Sequence, residues 1–467
     1  MAGGGDGTRG YRIVALTVSS ALFMQFLDNS SMTIAIPAIA REFGVAAIDL
    51  NLAILAYQLA MTVLIPLGTL LAERMGQRNA FVLAIFAFMV GSVLSALSNS
   101  LPTLIGARIV LGASSAVMVP VSRLLVVRSV DKHQLMQAMN WLIIPGIVGP
   151  LLGPVIAGQL ITHASWHWIF LINLPVAVIG IVMSLIVVPD VRDEVRGPVD
   201  MTGTLLIGFA LFGLMFGLEG IANPRGGFLA PVLLVAGVAL LWLFVRHNSS
   251  SASPVLDLGL LKVRSFRQSV VIGSILRIAA LANGFLMPLW LQLGMGMSAA
   301  KAGSILVVSA FGTVLGRLVG LRLSRYFHPR SLAITGSVLL LLGLLGTSRL
   351  DPSLPLAAFY ATLFVQGIAI TMAMMVVSAL SYVDMEPEQI SSAAGLFTTI
   401  QQVTMAVGTM FAVWTLSAMK LAYGAAETDS QIYAGSYLIL ALLATAAVWT
   451  MRGLDPETTG ALSKGRG

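Results

Sequence analysis

Ile13-Val-Ala-Leu-Thr-Val-Ser-Ser-Ala-Leu-Phe-Met-Gln-Phe-Leu-Asp28-Asn-Ser-Ser-Met-Thr-Ile-Ala-Ile-Pro37 lies between Arg12 and Arg41, and Asp28 is the only charged residue in it. A helix needs roughly 20 apolar residues to cross a hydrocarbon core about 30 Å thick, so this run is long enough to span a membrane. Arg9 and Arg12 precede it, which reads as a retained first helix. The whole chain has the same character. Of its 467 residues 57% are hydrophobic and 10% charged, and the mean hydropathy is +0.92. Such a composition belongs to the membrane class, in which length counts crossings rather than soluble domains.

Runs of spanning length fall near 12–40, 50–72, 79–98, 102–128, 135–162, 168–188, 202–220, 228–246, 266–293, 301–325, 330–348, 355–381, 390–420 and 431–451. Backbone groups in lipid have no water to bond, which forces helices here, because a transmembrane barrel would show short alternating strands instead. The expected fold class is therefore an all-α integral membrane protein with fourteen transmembrane helices. With both termini placed inside, most of the 27 Lys and Arg residues collect on the cytoplasmic side. The outer side holds Arg41, Arg225, Lys301, Arg349 and Lys420, while Arg108, Arg277 and Arg317 fall inside spans. That asymmetry follows the positive-inside rule, and an odd number of spans would scramble it.

The same residues exclude several classes. The chain has no Cys, which removes disulfides, thiolate metal sites and cysteine nucleophiles. His133, His163, His167, His247 and His328 fall at predicted loops without zinc-type spacing, so no metal or other cofactor is expected. The net charge of +7 is scattered between apolar runs rather than gathered into a stripe, which argues against nucleic acid as a partner. No nucleophile and base pair marks an enzyme, and no selectivity-filter segment or sizeable soluble domain marks a channel or a sensor.

Polar stretches at 189–200 and 246–267 flank the seventh and eighth spans. They divide the chain into an N-terminal six-helix bundle (1–188), a linker with an inserted helix pair (189–265) and a C-terminal six-helix bundle with a short cytoplasmic tail (266–467). An internal repeat supports the division. Gly68-Thr-Leu-Leu-Ala-Glu-Arg-Met-Gly-Gln-Arg78 follows the second span, and Gly320-Leu-Arg-Leu-Ser-Arg-Tyr-Phe-His-Pro-Arg330 follows the tenth. Parallel repeats of this kind suit a transporter in which two similar halves tilt about a central site.

Five motifs in this order resemble the fourteen-span drug:proton antiporters of the major facilitator superfamily, over essentially the whole chain. Leu27-Asp28-Asn-Ser-Ser-Met-Thr-Ile-Ala-Ile-Pro37 is similar to the family's first-span element, with Ser30 for the usual Thr and Thr33 for the usual Asn. Gly68 to Arg78 resembles the gating loop after the second span, with Glu73 replacing Asp. Arg108-Ile-Val-Leu-Gly112 resembles the fourth-span motif, with Leu111 where Gln is usual. Pro145-Gly146-Ile-Val-Gly149-Pro150-Leu-Leu-Gly153-Pro154 is similar to the antiporter motif of the fifth span, and Trp166-His-Trp-Ile-Phe-Leu-Ile-Asn-Leu-Pro175 to the start of the sixth, with His167 for Arg. The resemblance implies the major facilitator fold and proton-driven export. It also implies a coupling role for Arg108 and placement in a bacterial inner membrane.

Asp28 stands about 16 residues past Arg12, roughly 24 Å along a helix, and so near mid-membrane. A charge at that depth costs about 2.5 to 3.5 kcal/mol on insertion scales, so it must face water or a partner. It is either a proton-coupling carboxyl or half of a structural ion pair. Arg108 has either the proton-coupling role that the resemblance implies or that of a cation snorkelling to the outer surface. Arg277 also lies near the midplane, and its candidate partners are Asp28, backbone carbonyls and an anionic ligand. Gln25, Asn29, Gln58 and Asn283 are candidates for the substrate cavity or for hydrogen bonds between helices. Gly68, Glu73, Arg74, Gly76 and Arg78 form the expected cytoplasmic gate. Pro145, Gly146, Gly149, Pro150, Gly153 and Pro154 place small residues on one face, for close helix approach and bending.

The expected function is proton-coupled export of small amphipathic molecules or drugs by alternating access, in a monomer whose partners are substrate, protons and lipid. The alternative is export of organic anions or metal chelates on the same fold, because Arg108 and Arg277 outnumber Asp28 in the deep region.

Overall fold

The computed structural model describes residues 6–129, 135–188, 200–222, 227–251, 255–351, 353–386, 389–424 and 426–454. Its helices are α1 (Asp6–Phe43), α2 (Asn51–Met75), α3 (Gln77–Ala96), α4 (Leu101–Ser129), α5 (Leu135–His163), α6 (Trp168–Leu171), α7 (Asn173–Val187), α8 (Met201–Ala222) and α9 (Leu229–Ser250). They continue with α10 (Arg264–Leu289), α11 (Ala299–Leu323), α12 (Pro329–Thr347), α13 (Leu356–Leu380), α14 (Ile390–Tyr423) and α15 (Ser430–Arg452). The short α6 runs into α7 across Ile172, and the two make one crossing, Trp168–Val187. Among the described residues 13 helices are long and apolar enough to span a membrane. The fifth predicted span is the 29-residue helix α5, so the fourteen crossings of the expected fold class are all helical.

Most helix ends agree with the hydropathic runs, and four places require correction, the first being His163, which was placed in a loop and is the last residue of α5. Gly68 to Arg78, read as a loop, is helical on both sides of Gly76, which alone joins α2 to α3. Gly76 has φ 87°, a left-handed conformation open to glycine and strained for other residues. His247, placed in a loop, lies in the last turn of α9. The linker 246–267 contains the end of α9, a 3-10 turn at Leu258–Lys262 and the start of α10.

The chain divides into two compact units, Met1–Val255 and Leu256–Gly467. In the first, α1 packs on α5 and α2 on α4, with α3 against α4 and α7 against α1 and α3. In the second, α10 packs on α14 and α11 on α13, with α12 against α13 and α15 against α10 and α12. The internal repeat is thus a repeat of packing partners. The helices α8 and α9 pack on each other, and α8 also packs on α2.

Small residues make these crossings tight. A Cβ on Gly153 would overlap Ser30 Oγ, and one on Gly149 would sit 2.8 Å from Phe26 Cβ. The antiporter-motif face of α5 therefore lies directly on the face of α1 formed by Phe26, Leu27 and Ser30, at the level of Asp28. Ser31 Oγ adds a long hydrogen bond of 3.5 Å to the Gly153 carbonyl. Pro150 is half-buried and Pro154 buried on the same helix, while the side-chain surroundings of Pro145 and Gly146 lie outside the described residues.

Polar contacts fix the helix ends. Trp166 Nε1 donates to Glu42 Oε2 at 2.6 Å, and the Trp166 ring stacks on His167 with centroids 3.8 Å apart, which ties the end of α1 to the α5–α6 turn. Asp200 caps α8 by accepting from the Gly203 N–H at 2.8 Å and pairs with His247 of α9 at 2.9 Å. Burial works against the Asp200 carboxylate. The Gly203 N–H and His247 outweigh it and hold the carboxyl below its ordinary value. This depressed group stabilises the fold fully above the unfolded carboxyl's value of about 3.9, and the contribution fades as pH falls below it.

Gly153→Ala should lower the thermal unfolding temperature in detergent, with a loss of about 1–3 kcal/mol from overpacking. Adding Ser30→Ala to the same chain should recover part of that loss. An unchanged unfolding temperature in Gly153→Ala would contradict the close α1–α5 approach.

Candidate functional site

Asp28 and Arg108 meet inside the first unit. Asp28 projects from the middle of α1 and Arg108 from α4, about 10 Å past the first residue of that helix at 1.5 Å per residue. The Arg108 Nη1 to Asp28 Oδ2 distance is 2.5 Å, and both side chains are fully buried. The guanidinium carbon of Arg108 lies 4.5 Å from the centre of the Tyr57 ring, on α2. Tyr57 is itself 1% exposed, and its hydroxyl is 2.8 Å from Ser115 Oγ of α4. Arg108 and Ser115 are seven residues apart and so share one face of α4. Three helices thus enclose one carboxylate, one guanidinium, one aromatic face and one hydroxyl pair.

The burial of Arg108 settles one alternative left open by the sequence: the guanidinium turns inward to Asp28 and does not snorkel. Bonding capacity nonetheless remains in the pair. Among the described residues, Asp28 Oδ1 and Arg108 Nε and Nη2 have no hydrogen-bond partner. Gln25 lies one turn before Asp28 on the same face, and its amide Nε2 donates to the Met61 sulfur at 3.4 Å. Gln25 Oε1 and Gln58 Oε1 are also buried without a partner. Asn29 is half-buried beside them. The expected polar set of Asp28, Arg108, Gln25, Asn29 and Gln58 therefore falls in one part of the first unit, on α1, α2 and α4.

Arg277 occupies the corresponding helix of the second unit, α10, and is 6% exposed. Its guanidinium carbon sits 4.8 Å from the centre of the Phe397 ring of α14. Nε and Nη1 have no hydrogen-bond partner among the described residues. One turn earlier, Ser274 Oγ is 3.3 Å from Thr404 Oγ1 of α14. Asn283, a cavity candidate, joins helices. Its Nδ2 donates to Gln366 Oε1 at 3.0 Å, and Gln366 Nε2 donates to the Gly343 carbonyl at 2.9 Å and to Thr347 Oγ1 at 2.6 Å. That chain of bonds links α10, α13 and α12.

The gate candidates have separate surroundings. A Cβ on Gly68 would lie 2.7 Å from the Ala116 carbonyl, so Gly68 marks the tight α2–α4 crossing. Arg74 is exposed in the last turn of α2 and Arg78 half-buried in the first turn of α3, on either side of Gly76. Glu73 belongs to α2, and its side chain lies outside the described residues.

Sequence reasoning missed Tyr57 and Ser115. An aromatic residue in an apolar span reads as lipid-facing, and nothing near Tyr57 in sequence says otherwise. The available signal was the Ser114-Ser115 pair two turns after Arg108, on the arginine's own face.

A deep ion pair between the first and fourth helices, in a chain of repeated helix packings, can be compared with known proteins. The sequence model of the Major Facilitator Superfamily matches residues 18–409. The chain belongs to the major facilitator superfamily. It is 31% identical over 456 residues to "Probable transport protein HsrA" of Haemophilus influenzae, covering 97% of this chain and 98% of that one. It is 33% identical over 404 residues to "Putative multidrug resistance protein MdtD" of Shigella flexneri, covering 85% and 84%. A D-xylose-proton symporter crystal structure shares the fold, with a TM-score of 0.67 at 16% identity over 97% of this chain and 99% of that one. As a major facilitator protein the chain is a multi-pass membrane transporter rather than an enzyme.

Arg108→Leu should destabilise this transporter by about 3–5 kcal/mol, because it leaves a buried carboxylate unpaired. The double variant Asp28→Asn with Arg108→Leu should lose less than the sum of the two single losses. Thermal unfolding in detergent measures both, and simple additivity would mean that the two groups do not interact.

Proposed function

We propose that this transporter exports small amphipathic molecules, drugs among them, in exchange for protons. The observation that carries the reading is the sealed Asp28–Arg108 pair. A proton arriving at Asp28 neutralises the carboxylate and ends its charge-assisted hold on Arg108. Oδ1, which makes no hydrogen bond among the described residues, is the oxygen open to that proton. The guanidinium released from Asp28 keeps the Tyr57 face and has further donors for another acceptor. Protonation therefore changes which partner Arg108 prefers, and a conformational equilibrium follows if the two preferences belong to different states. In this reading two six-helix bundles, 1–188 and 266–467, tilt in turn to open the site to either side.

The deep polar set of Gln25, Asn29 and Gln58 supplies hydrogen bonds for substrate beside the pair. Gly68, Glu73, Arg74, Gly76 and Arg78 act as the cytoplasmic gate, where the single-residue link at Gly76 makes α2 and α3 move together. The relatives named as multidrug resistance proteins favour amphipathic compounds as cargo. They are bacterial, which supports an inner-membrane location. Both termini are cytoplasmic by the distribution of Lys and Arg, and the working unit is the monomer.

A second reading changes the cargo to organic anions or metal chelates. It is favoured by Arg277, a buried cation whose Nε and Nη1 have no hydrogen-bond partner among the described residues.

In proteoliposomes, Asp28→Asn should abolish export driven by a pH gradient, and Asp28→Glu should retain part of it. Undiminished gradient-driven flux in Asp28→Asn would remove Asp28 from the coupling. Arg277→Ala should leave transport of organic cations within about twofold if the first reading holds, a difference of roughly 0.4 kcal/mol. A selective loss of anionic substrates in the same variant would favour the second.

A further inference from the structure

The inserted helix α8 carries a carboxyl that the mechanism above does not use. Glu219 lies one turn before the end of α8 and is 3% exposed. Among the described residues its hydrogen-bond partner is Asn51, the first residue of α2, which is fully buried and donates from Nδ2 to Glu219 Oε2 at 3.1 Å. The oxygen of the same carboxamide, Asn51 Oδ1, is buried and accepts no hydrogen bond among the described residues.

This arrangement suits a group that changes protonation state. An ionised carboxylate only accepts hydrogen bonds and has room for about four donors, yet Asn51 supplies one. A protonated carboxyl needs an acceptor for its O–H, and Asn51 Oδ1 lies on the same planar amide. Rotating the carboxamide by half a turn exchanges donor for acceptor, so one residue serves both states of Glu219. Asp49, 7% exposed in the 3-10 turn Ala47–Leu50, is the titratable group facing Glu219 from that turn. From α2 the facing polar group is Asn51. The packed stretch of α9 from Leu229 to Leu241 contains no titratable residue.

Position puts the pair close to one face of the membrane. Glu219 and Asn51 lie at the ends of their helices, on the side of the membrane where α1 ends at Phe43. Tyr57, which faces Arg108, follows Asn51 on α2 by six residues, or about 9 Å of rise. The intervening turn contains Ile54 and Leu55, both buried and apolar, so the two carboxyls are separate sites.

We infer that Glu219, with Asn51 as its adaptable partner, is a second proton-binding site of this transporter, on the membrane face where α1 ends. The proton comes from water at that face and bonds to a carboxylate oxygen of Glu219. Asn51 turns its carboxamide so that Oδ1 accepts the new O–H. The site stands whether or not Asp28 carries the coupled proton.

The test is a pH titration of the full-length protein in liposomes, followed by the infrared C=O band of protonated carboxyls. Glu219→Gln should remove one component of that band, and Asp28→Asn should leave the same component in place. Asn51→Leu should move its midpoint by about one pH unit or more. Loss of the component in Asp49→Asn with retention in Glu219→Gln would place the proton on Asp49 and overturn the inference. Labelling of the wild-type protein with a hydrophobic carbodiimide, mapped by mass spectrometry, reads the site without any substitution. Labelling of Glu219 that declines as pH rises supports the site, and a Glu219 that stays unlabelled at every pH overturns it.

Discussion

A charge at the depth of Asp28 needs a partner, and much of the first unit is arranged to supply one. Desolvation of a carboxylate or a guanidinium costs several kcal/mol, which the mutual attraction of the pair recovers only with close geometry. Such geometry requires α1 and α4 to approach with a fixed rotation about their axes. The tight α2–α4 crossing at Gly112 and the α1–α5 crossing at Gly149 and Gly153 set those rotations. Tyr57 then closes the remaining side with an aromatic face, an environment in which a cation is attracted rather than solvated. The pair is therefore stable as a unit and costly to divide.

The second unit uses the same packing scheme with different chemistry. Its equivalent of the α1–α5 crossing is α10 on α14, and there the buried charge is Arg277 over Phe397. No ion pair balances that guanidinium among the described residues, in contrast to Arg108. In this unit two amides hold helices together, in the Asn283–Gln366–Thr347 chain. Two halves with one architecture thus differ in what they hold at depth: a neutralised pair in one and a cation against a ring in the other.

Hydropathy made the helices legible because it reports what lipid tolerates, and in this chain lipid tolerance and helix formation nearly coincide. They part company where charge enters a helix. The second span was expected to stop at residue 72, before Glu73 and Arg74, yet α2 continues to Met75, since backbone hydrogen bonds do not depend on side-chain polarity. Asp28 and Arg108 were legible as residues that need partners. Their pairing was not, because 80 positions separate them and sequence alone does not fix helix rotation. Asn283 was legible only as a choice: an amide in a span fits a cavity wall and a helix brace equally well until its neighbours are known, and its Nδ2 braces α10 to α13. Glu219 acquired meaning only when the start of α2 was found beside it.

The bare face of α5 has a consequence for how force leaves the carboxyl. Where Gly149 and Gly153 touch α1 they present backbone, with no side chain that could rotate, donate or withdraw. On that flank the site is an anvil: it bears load and gives no answer. The groups able to respond when the electrostatic balance changes stand on the other side, on α2 and α4. Under the proposed protonation of Asp28, movement would be directed along those two helices, and α2 continues through Gly76 into α3.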